Sequence, residues 1–304
     1  MSGILHPLIG RVIGAVGSGC LIVELLRFGP DDEASVATYV ATESACLVDA
    51  PWWHPHTVHR QTMLMRHGWD GEVGRHFLLR ADGQVVGRAA VHSSDYDNLD
   101  AAWVELSVHP DLRRRGYGAA GMQQAFDVVR WLAEHDDHGN GRRMTVGGQS
   151  AGGALAAAVA RLSLEQGGPR LALQVLHYPP LDLATPAPDK KAAIAKPMLR
   201  PWMGEVFDSA YVPDVAARQH RLVSPASSAD TADLTGIAPA VVITAEYDRL
   251  NAEGVRYAHR LDEAGALVAH HDVRGADHGY DVKDTGKARE TYALIAGHVR
   301  DATA

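Results

Sequence analysis

Cysteine is almost missing from this chain: its 304 residues include two, Cys20 and Cys46. Two thiols without C-x-x-C spacing exclude a disulfide framework and a cysteine-built zinc site, and nothing in them asks for an oxidising compartment. A basic excess is missing too. Lys and Arg number 29 against 37 Asp and Glu, for a net charge of −8, whereas a face that binds nucleic acid needs surplus cations for the phosphates. There is also no long apolar run free of charge. The nearest, Leu8 to Leu26, is interrupted by Arg11 and Glu24, while a membrane-spanning helix wants about 20 apolar residues in a row. The opening Met-Ser-Gly-Ile-Leu-His lacks the cationic start of a signal peptide. Residues 1–25 are therefore expected to be a leader in a cytoplasmic protein with neither a nucleic-acid nor a membrane partner. No internal repeat or low-complexity tract is present.

What remains is ordinary globular composition, 46% hydrophobic and 22% charged, enough to bury a sizeable core. At about 150 residues per domain, the length suits two modest domains or one large α/β domain. From Glu33 to Met65 apolar residues recur at helical spacing, broken by Asp49-Ala50-Pro51 and Pro55, which predicts two helices around a proline turn. His76–Arg80 and Val85–His92 flank Ala81-Asp82-Gly83 as a hairpin, and Ala101–Val108 is another strand. Beyond Gly118 strands and helices alternate, the rhythm of a parallel sheet. Asp127–His135 reads as helix, Met144–Val146 as strand and Ala151–Glu165 as helix. Strands at Leu173–Tyr178, Ala240–Ala245 and Leu267–Val273 follow, with helices at Glu253–Ala264 and Ala288–Val299. Residues 179–225, rich in Pro, Asp and Ala, read as a cap-like insertion over a site. The fold class is α/β.

Gly148-Gln149-Ser150-Ala151-Gly152 is a G-x-S-x-G pentapeptide between a strand and a helix. A sharp turn there exposes the serine hydroxyl, its glycines avoid Cβ clashes, and the Ala151 N–H at the helix start points at an oxyanion. A glycine-rich helix cap with serine as the capping oxygen is the competing reading. A nucleophilic serine needs an acid and then a histidine at the ends of later strands. Asp248 follows the strand Ala240–Ala245, and His278 follows Leu267–Val273 in the run Gly275-Ala276-Asp277-His278-Gly279-Tyr280. Asp272 and Asp277 compete with Asp248 but lie too close to His278 in sequence to reach it as a separate strand-end partner would. His54-Pro55-His56 with His59 has a ligand-like spacing, but without carboxylate or cysteine it reads as a polar helix start; no metal is expected.

From about Asp127 onward the chain resembles the bacterial hormone-sensitive-lipase-like esterases of the α/β-hydrolase superfamily. The resemblance is carried by Gly147 to Gly153, Tyr178-Pro179-Pro180-Leu181-Asp182, Ser224-Pro225, Asp248 to Gly254, and Gly275 to Tyr280. It implies hydrolysis of short-chain carboxylic esters through an acyl-enzyme, with Ser150, Asp248 and His278 as triad and no cofactor. Gln149 stands where that family commonly has Asp or Thr, and Ala252 where it usually has Asp. The family's upstream His-Gly-Gly-Gly loop, which supplies most of its oxyanion hole, is not in this sequence. The insertion's Met198, Trp202, Met203 and Phe207 are expected to line an apolar acyl pocket for a small-molecule ester.

In the place of that loop, Leu26 to Gly121 resembles the first part of a GCN5-related N-acetyltransferase. Arg113, Arg114, Arg115, Gly116 and Gly118, within Val108 to Ala119, match its acyl-CoA pyrophosphate loop, where backbone N–H groups and arginines meet phosphate. Neither family is complete. The chain reads as a fusion of a leader (1–25), an acetyltransferase-like segment (26–121) and a hydrolase-like segment (122–304). Acyl-CoA-dependent N-acetyl transfer with acetyl-CoA, and an inactive fusion, are the alternatives to esterase; a homodimer is compatible with any of the three. If Ala101–Val108 extended the parallel sheet beside the nucleophile strand, Gly116 or Tyr117 N–H would replace the lost oxyanion donors.

Overall fold

The computed structural model describes residues 8–16, 19–46, 56–67, 72–94, 102–112, 122–123, 125–127, 129–130, 133 and 143–304. The chain divides into two compact units, Met1–Trp131 and Leu132–Ala304.

In the first unit, β1 (Leu8–Val16), β2 (Gly19–Phe28), β3 (Glu72–Ala81), β4 (Gln84–Ser94) and β5 (Ala102–Val108) form one antiparallel sheet in chain order. Of residues 1–25, expected as a leader, 8–16 and 19–25 instead lie in two of its strands. Their Val- and Ile-rich run favours a pleated strand, and β2 has a partner in β3, from Val23 opposite Ala81 to Phe28 opposite His76. The β3–β4 turn puts Asp82 at φ 50° and Gly83 at φ 79°, the left-handed pair that a two-residue hairpin needs. α1 (Glu33–Cys46) and α2 (Val58–His67) are the two helices expected. α1 packs on the sheet through Tyr39, whose ring lies 5.2 Å from that of His76 on β3 and whose hydroxyl accepts from Arg88 on β4; Val36 and Val40 of the same helix are buried.

The expectation that β5 extends the parallel sheet is overturned. β5 runs antiparallel to β4, from Gly87 opposite Val108 to Ser93 opposite Ala102, and ends its own sheet. A strand whose ladder is antiparallel to a hairpin neighbour belongs to the hairpin's sheet. In the chain beyond β5, the described residues from 122 to 133 are helical, and Met122, Phe126 and Val129 are buried at helical spacing.

The second unit holds a parallel sheet in the order β6 (Met144–Gln149), β7 (Leu171–His177), β8 (Ala240–Ala245) and β9 (Leu267–Val273). Side chains alternate across it. Leu173, Val175, Val241 and Ile243 face the C-terminal helix through Leu294, Ile295, Val299 and Ala302. Thr244, of the opposite parity, meets Gly254, where an added Cβ would lie 2.7 Å from the threonine methyl. α3 (Ala151–Gln166) packs on β6 and β7, and α5 (Asn251–Glu263) on β8 and β9. The alanines of α3 allow close approach to the sheet, and Gly167 ends the helix at φ 62°.

The insertion, residues 179–225, contains one helix longer than a turn, α4 (Pro201–Tyr211). Buried polar groups anchor it. The Lys190 ammonium lies 2.7 Å from Glu253 on α5, and the same carboxylate accepts the Leu181 N–H at 2.8 Å. Ser224 Oγ accepts the N–H groups of Leu183 and Ala184 and donates to the Arg218 carbonyl.

Candidate active site

The turn between β6 and α3 is tightly constrained. Ser150 adopts φ 50° and ψ −120°, a conformation costly for a residue with a Cβ and common where a functional side chain must be presented. Its N–H donates to the His177 carbonyl at 2.8 Å and its carbonyl accepts from Gly153 N–H at 2.9 Å, so the backbone is held from both sides. A Cβ on Gly148 would fall 2.4 Å from the Gly152 carbonyl carbon, and one on Gly153 would fall 2.9 Å from both the Gly148 oxygen and Pro179. Gly152 has open space at the same point. The steric need thus falls on Gly148 and Gly153, not on the pentapeptide's second glycine.

The three residues expected as nucleophile, acid and base meet here. His278 Nδ1 lies 2.7 Å from Asp248 Oδ2, and its Nε2 lies 3.0 Å from Ser150 Oγ. An ionised carboxylate only accepts, so Nδ1 carries the proton and Nε2 is free to accept from the serine hydroxyl. Asp248 is 2% exposed, and its other oxygen accepts the Leu250 N–H at 3.0 Å. The rival carboxylates are occupied elsewhere. Asp277 accepts the backbone N–H groups of His278 and Met198, and Asp272 accepts from Thr244 and Asn251. Ala151, the first residue of α3, is exposed beside the serine.

Other expectations fare differently. Met198 reaches the histidine loop, with its methyl 3.8 Å from where a Cβ on Gly279 would stand. Trp202 and Phe207, however, are 63% and 54% exposed on α4. Met203 is half-buried on the same helix. The Arg113 to Gly118 loop, with Arg114, Arg115, Gly116 and Tyr117, lies outside the described residues, as do His54, Trp52 and Trp53. The strand adjacency that would have brought Gly116 and Tyr117 to Ser150 is absent, because β5 belongs to the antiparallel sheet.

A polar cluster beside the triad has no motif to announce it. Asp281 accepts from Tyr178 Oη and Tyr292 Oη, both at 2.6 Å, and from Gln149 Nε2 at 2.9 Å. Gln149 also contacts Tyr292 Oη. Burial pushes the Asp281 carboxyl up, but the two tyrosine hydrogen bonds outweigh it and hold the group below its ordinary range. Behind Tyr178 lies His177, 1% exposed, with Nε2 2.9 Å from Tyr280 Oη. Burial lowers His177 to about 4, although the charge of Asp281 opposes the shift.

A strained serine turn at the carboxyl end of a parallel strand, with an acid and a histidine after later strands, defines the α/β-hydrolase class. Residues 118–282 match the alpha/beta hydrolase fold family, and the chain belongs to it. Residues 35–140 match the acetyltransferase (GNAT) family, so the two matches overlap over 118–140. Carboxylesterase NlhH of Mycobacterium tuberculosis is 34% identical over 165 residues, 53% of this chain and 51% of that protein. Ethyl acetate hydrolase of Pseudomonas putida is 30% identical over 209 residues, 66% of this chain and 64% of that protein. The chain spans about half the length of the first curated relatives it matches. Among solved structures, a thermostable esterase from Pseudomonas putida ECU1011 superposes with TM-score 0.55 at 25% identity, covering 83% of this chain and 82% of its own. A hyperthermophilic esterase from the archaeon Pyrobaculum calidifontis shares the fold, with TM-score 0.63 at 24% identity, covering 92% and 95%.

Proposed function

We propose that the protein is a serine carboxylesterase acting on short-chain carboxylic esters. The observation that carries this reading is the continuous hydrogen-bonded line Ser150–His278–Asp248 at 3.0 and 2.7 Å. The carboxylesterase and ethyl acetate hydrolase relatives point to the same substrate class. Ser150 Oγ attacks the ester carbonyl while its proton passes to His278 Nε2. Asp248, accepting from Nδ1, holds the ring and stabilises the imidazolium. The histidine then protonates the departing alcohol, and a water deprotonated by the same nitrogen hydrolyses the acyl-enzyme. The Ala151 N–H at the start of α3 donates to the tetrahedral oxygen. Each such donor is worth about 3 kcal/mol in the transition state. Short acyl chains fit a site whose insertion leaves Trp202 and Phe207 turned to solvent instead of walling a deep pocket.

The test is hydrolysis of p-nitrophenyl esters of increasing chain length by the wild type beside Ser150→Ala. The substitution should lower kcat by roughly a thousandfold or more, and the wild-type rate should fall from acetate or butyrate toward longer chains. Equal rates in the two proteins would remove the esterase reading, and a preference for long chains would remove the short-chain assignment.

A further inference from the structure

Gln149 and Ser150 are adjacent in the nucleophile turn, and Asp281 lies three residues after His278. We propose that Asp281 is a positioning residue that clamps the histidine loop to the nucleophile turn, and that Gln149 is matched to it as an uncharged donor. This rests on the esterase reading of the same site. The clamp has three arms. Gln149 Nε2 donates to Asp281 Oδ2 from the serine side, at 2.9 Å. Tyr178 Oη donates to Oδ1 from the end of β7, at 2.6 Å. Tyr292 Oη donates to Oδ2 from the C-terminal helix, at 2.6 Å.

The second arm acts directly on the histidine. The Tyr178 ring packs against the His278 imidazole with centroids 4.7 Å apart, and its backbone is held at φ 38°. A side chain kept in that strained conformation needs fixing from its surroundings; the hydroxyl bond to Asp281 and the backbone bond from its N–H to the Ile243 carbonyl, 2.7 Å, supply it. Burial and the neighbouring Asp281 charge both push the Tyr178 hydroxyl up, so it stays a donor. One carboxylate therefore ties together the residue before the nucleophile, the ring that packs on the base and the loop that carries the base.

The sign matching is specific. A carboxylate at position 149 would face Asp281 across a hydrogen-bond distance, and two like charges there repel. An amide in that place donates instead. If the clamp works this way, exchanging the two chemistries should restore it: Glu at 149 accepts from an amide at 281 and from Tyr292, while the amide oxygen at 281 accepts from Tyr178.

The experiment compares wild type, Gln149→Glu, Asp281→Asn and the double variant on p-nitrophenyl acetate, with thermal melts as fold controls. Loss of alignment between reacting groups typically costs up to about 100-fold. Gln149→Glu should lose about 10- to 100-fold in kcat with KM nearly unchanged, and the double variant should regain most of that loss. In a hydrolytically active wild type, a double variant no better than Gln149→Glu, or four proteins with the same measurable rate, would overturn the clamp. If Gln149→Glu does not fold, Gln149→Met removes only the donor; a smaller loss of kcat at unchanged KM supports the clamp, and a wild-type rate overturns it. The low-field proton resonance of His278 Nδ1 is recorded on the same proteins, since it needs no turnover. Its broadening in Gln149→Glu and recovery in the double variant would support the clamp even if the wild type hydrolysed nothing, in which case only the esterase reading would fall. A resonance identical in all four would overturn the clamp.

Discussion

Ser150 is held where an ordinary residue resists being placed, and its neighbours decide whether the turn can form. The backbones of residues 148 and 152 approach until no Cβ fits at 148, while at 152 the Cβ direction points into open space. Gly148→Ala should therefore destabilise the hydrolase unit by about 3 kcal/mol, because rigid backbone would have to yield to the new methyl group. Gly152→Ala should leave stability unchanged or raise it by up to ~1 kcal/mol through helix propensity. Chemical denaturation of the two variants checks this; equal destabilisation would contradict the geometry. The pentapeptide alone could not reveal the difference. Its spacing marks a turn, but which of its glycines is crowded depends on the path of the first turn of α3, which brings the Gly152 backbone against Gly148.

At the scale of elements, β7 delivers two residues with opposite demands. Tyr178 reaches out to Asp281, and His177 turns into the interior, where burial holds it neutral with its pKa near 4. A histidine whose folded pKa is depressed contributes stability that is fully present above about pH 6.5, its unfolded value. As pH falls from 6.5 toward 4 the unfolded chain takes up a proton that the folded one refuses, and up to about 3 kcal/mol is lost. His177→Leu should therefore show a shallower fall in urea midpoint between pH 7 and pH 4.5 than the wild type. Parallel curves would refute it. The strands and helices of this unit were readable because their apolar runs are separated by turn residues, and the meeting of Ser150, His278 and Asp248 because each follows a strand in the expected order. The first two strands were not readable. Their apolar run looks the same as a leader until the partner strand at 72–81 is known. The clamp was equally hidden, since Gln149, Tyr178, Asp281 and Tyr292 share no spacing and meet only because two strand ends and two helices converge.

The whole molecule sets an antiparallel sheet and a parallel sheet in one chain, each with its own core. In the parallel sheet β8 lies inside, every one of its residues buried, whereas β6 lies at an end and none of its residues is fully buried. Among the described strands β6 is bonded to β7 alone. Amide hydrogen exchange should follow this order, with β8 slowest and β6 faster, since local opening needs the rupture of one ladder at an end strand and of two inside. Equal protection in β6 and β8 would show that something else seals the outer strand. Ser150 thus follows an end strand of its sheet, as His278 follows the other end strand, β9, while Asp248 follows β8 inside. Peeling of β6 would carry Ser150 away from His278 with most of the unit still folded. Inactivation in denaturant should accordingly precede global unfolding, as a reversible fraying event.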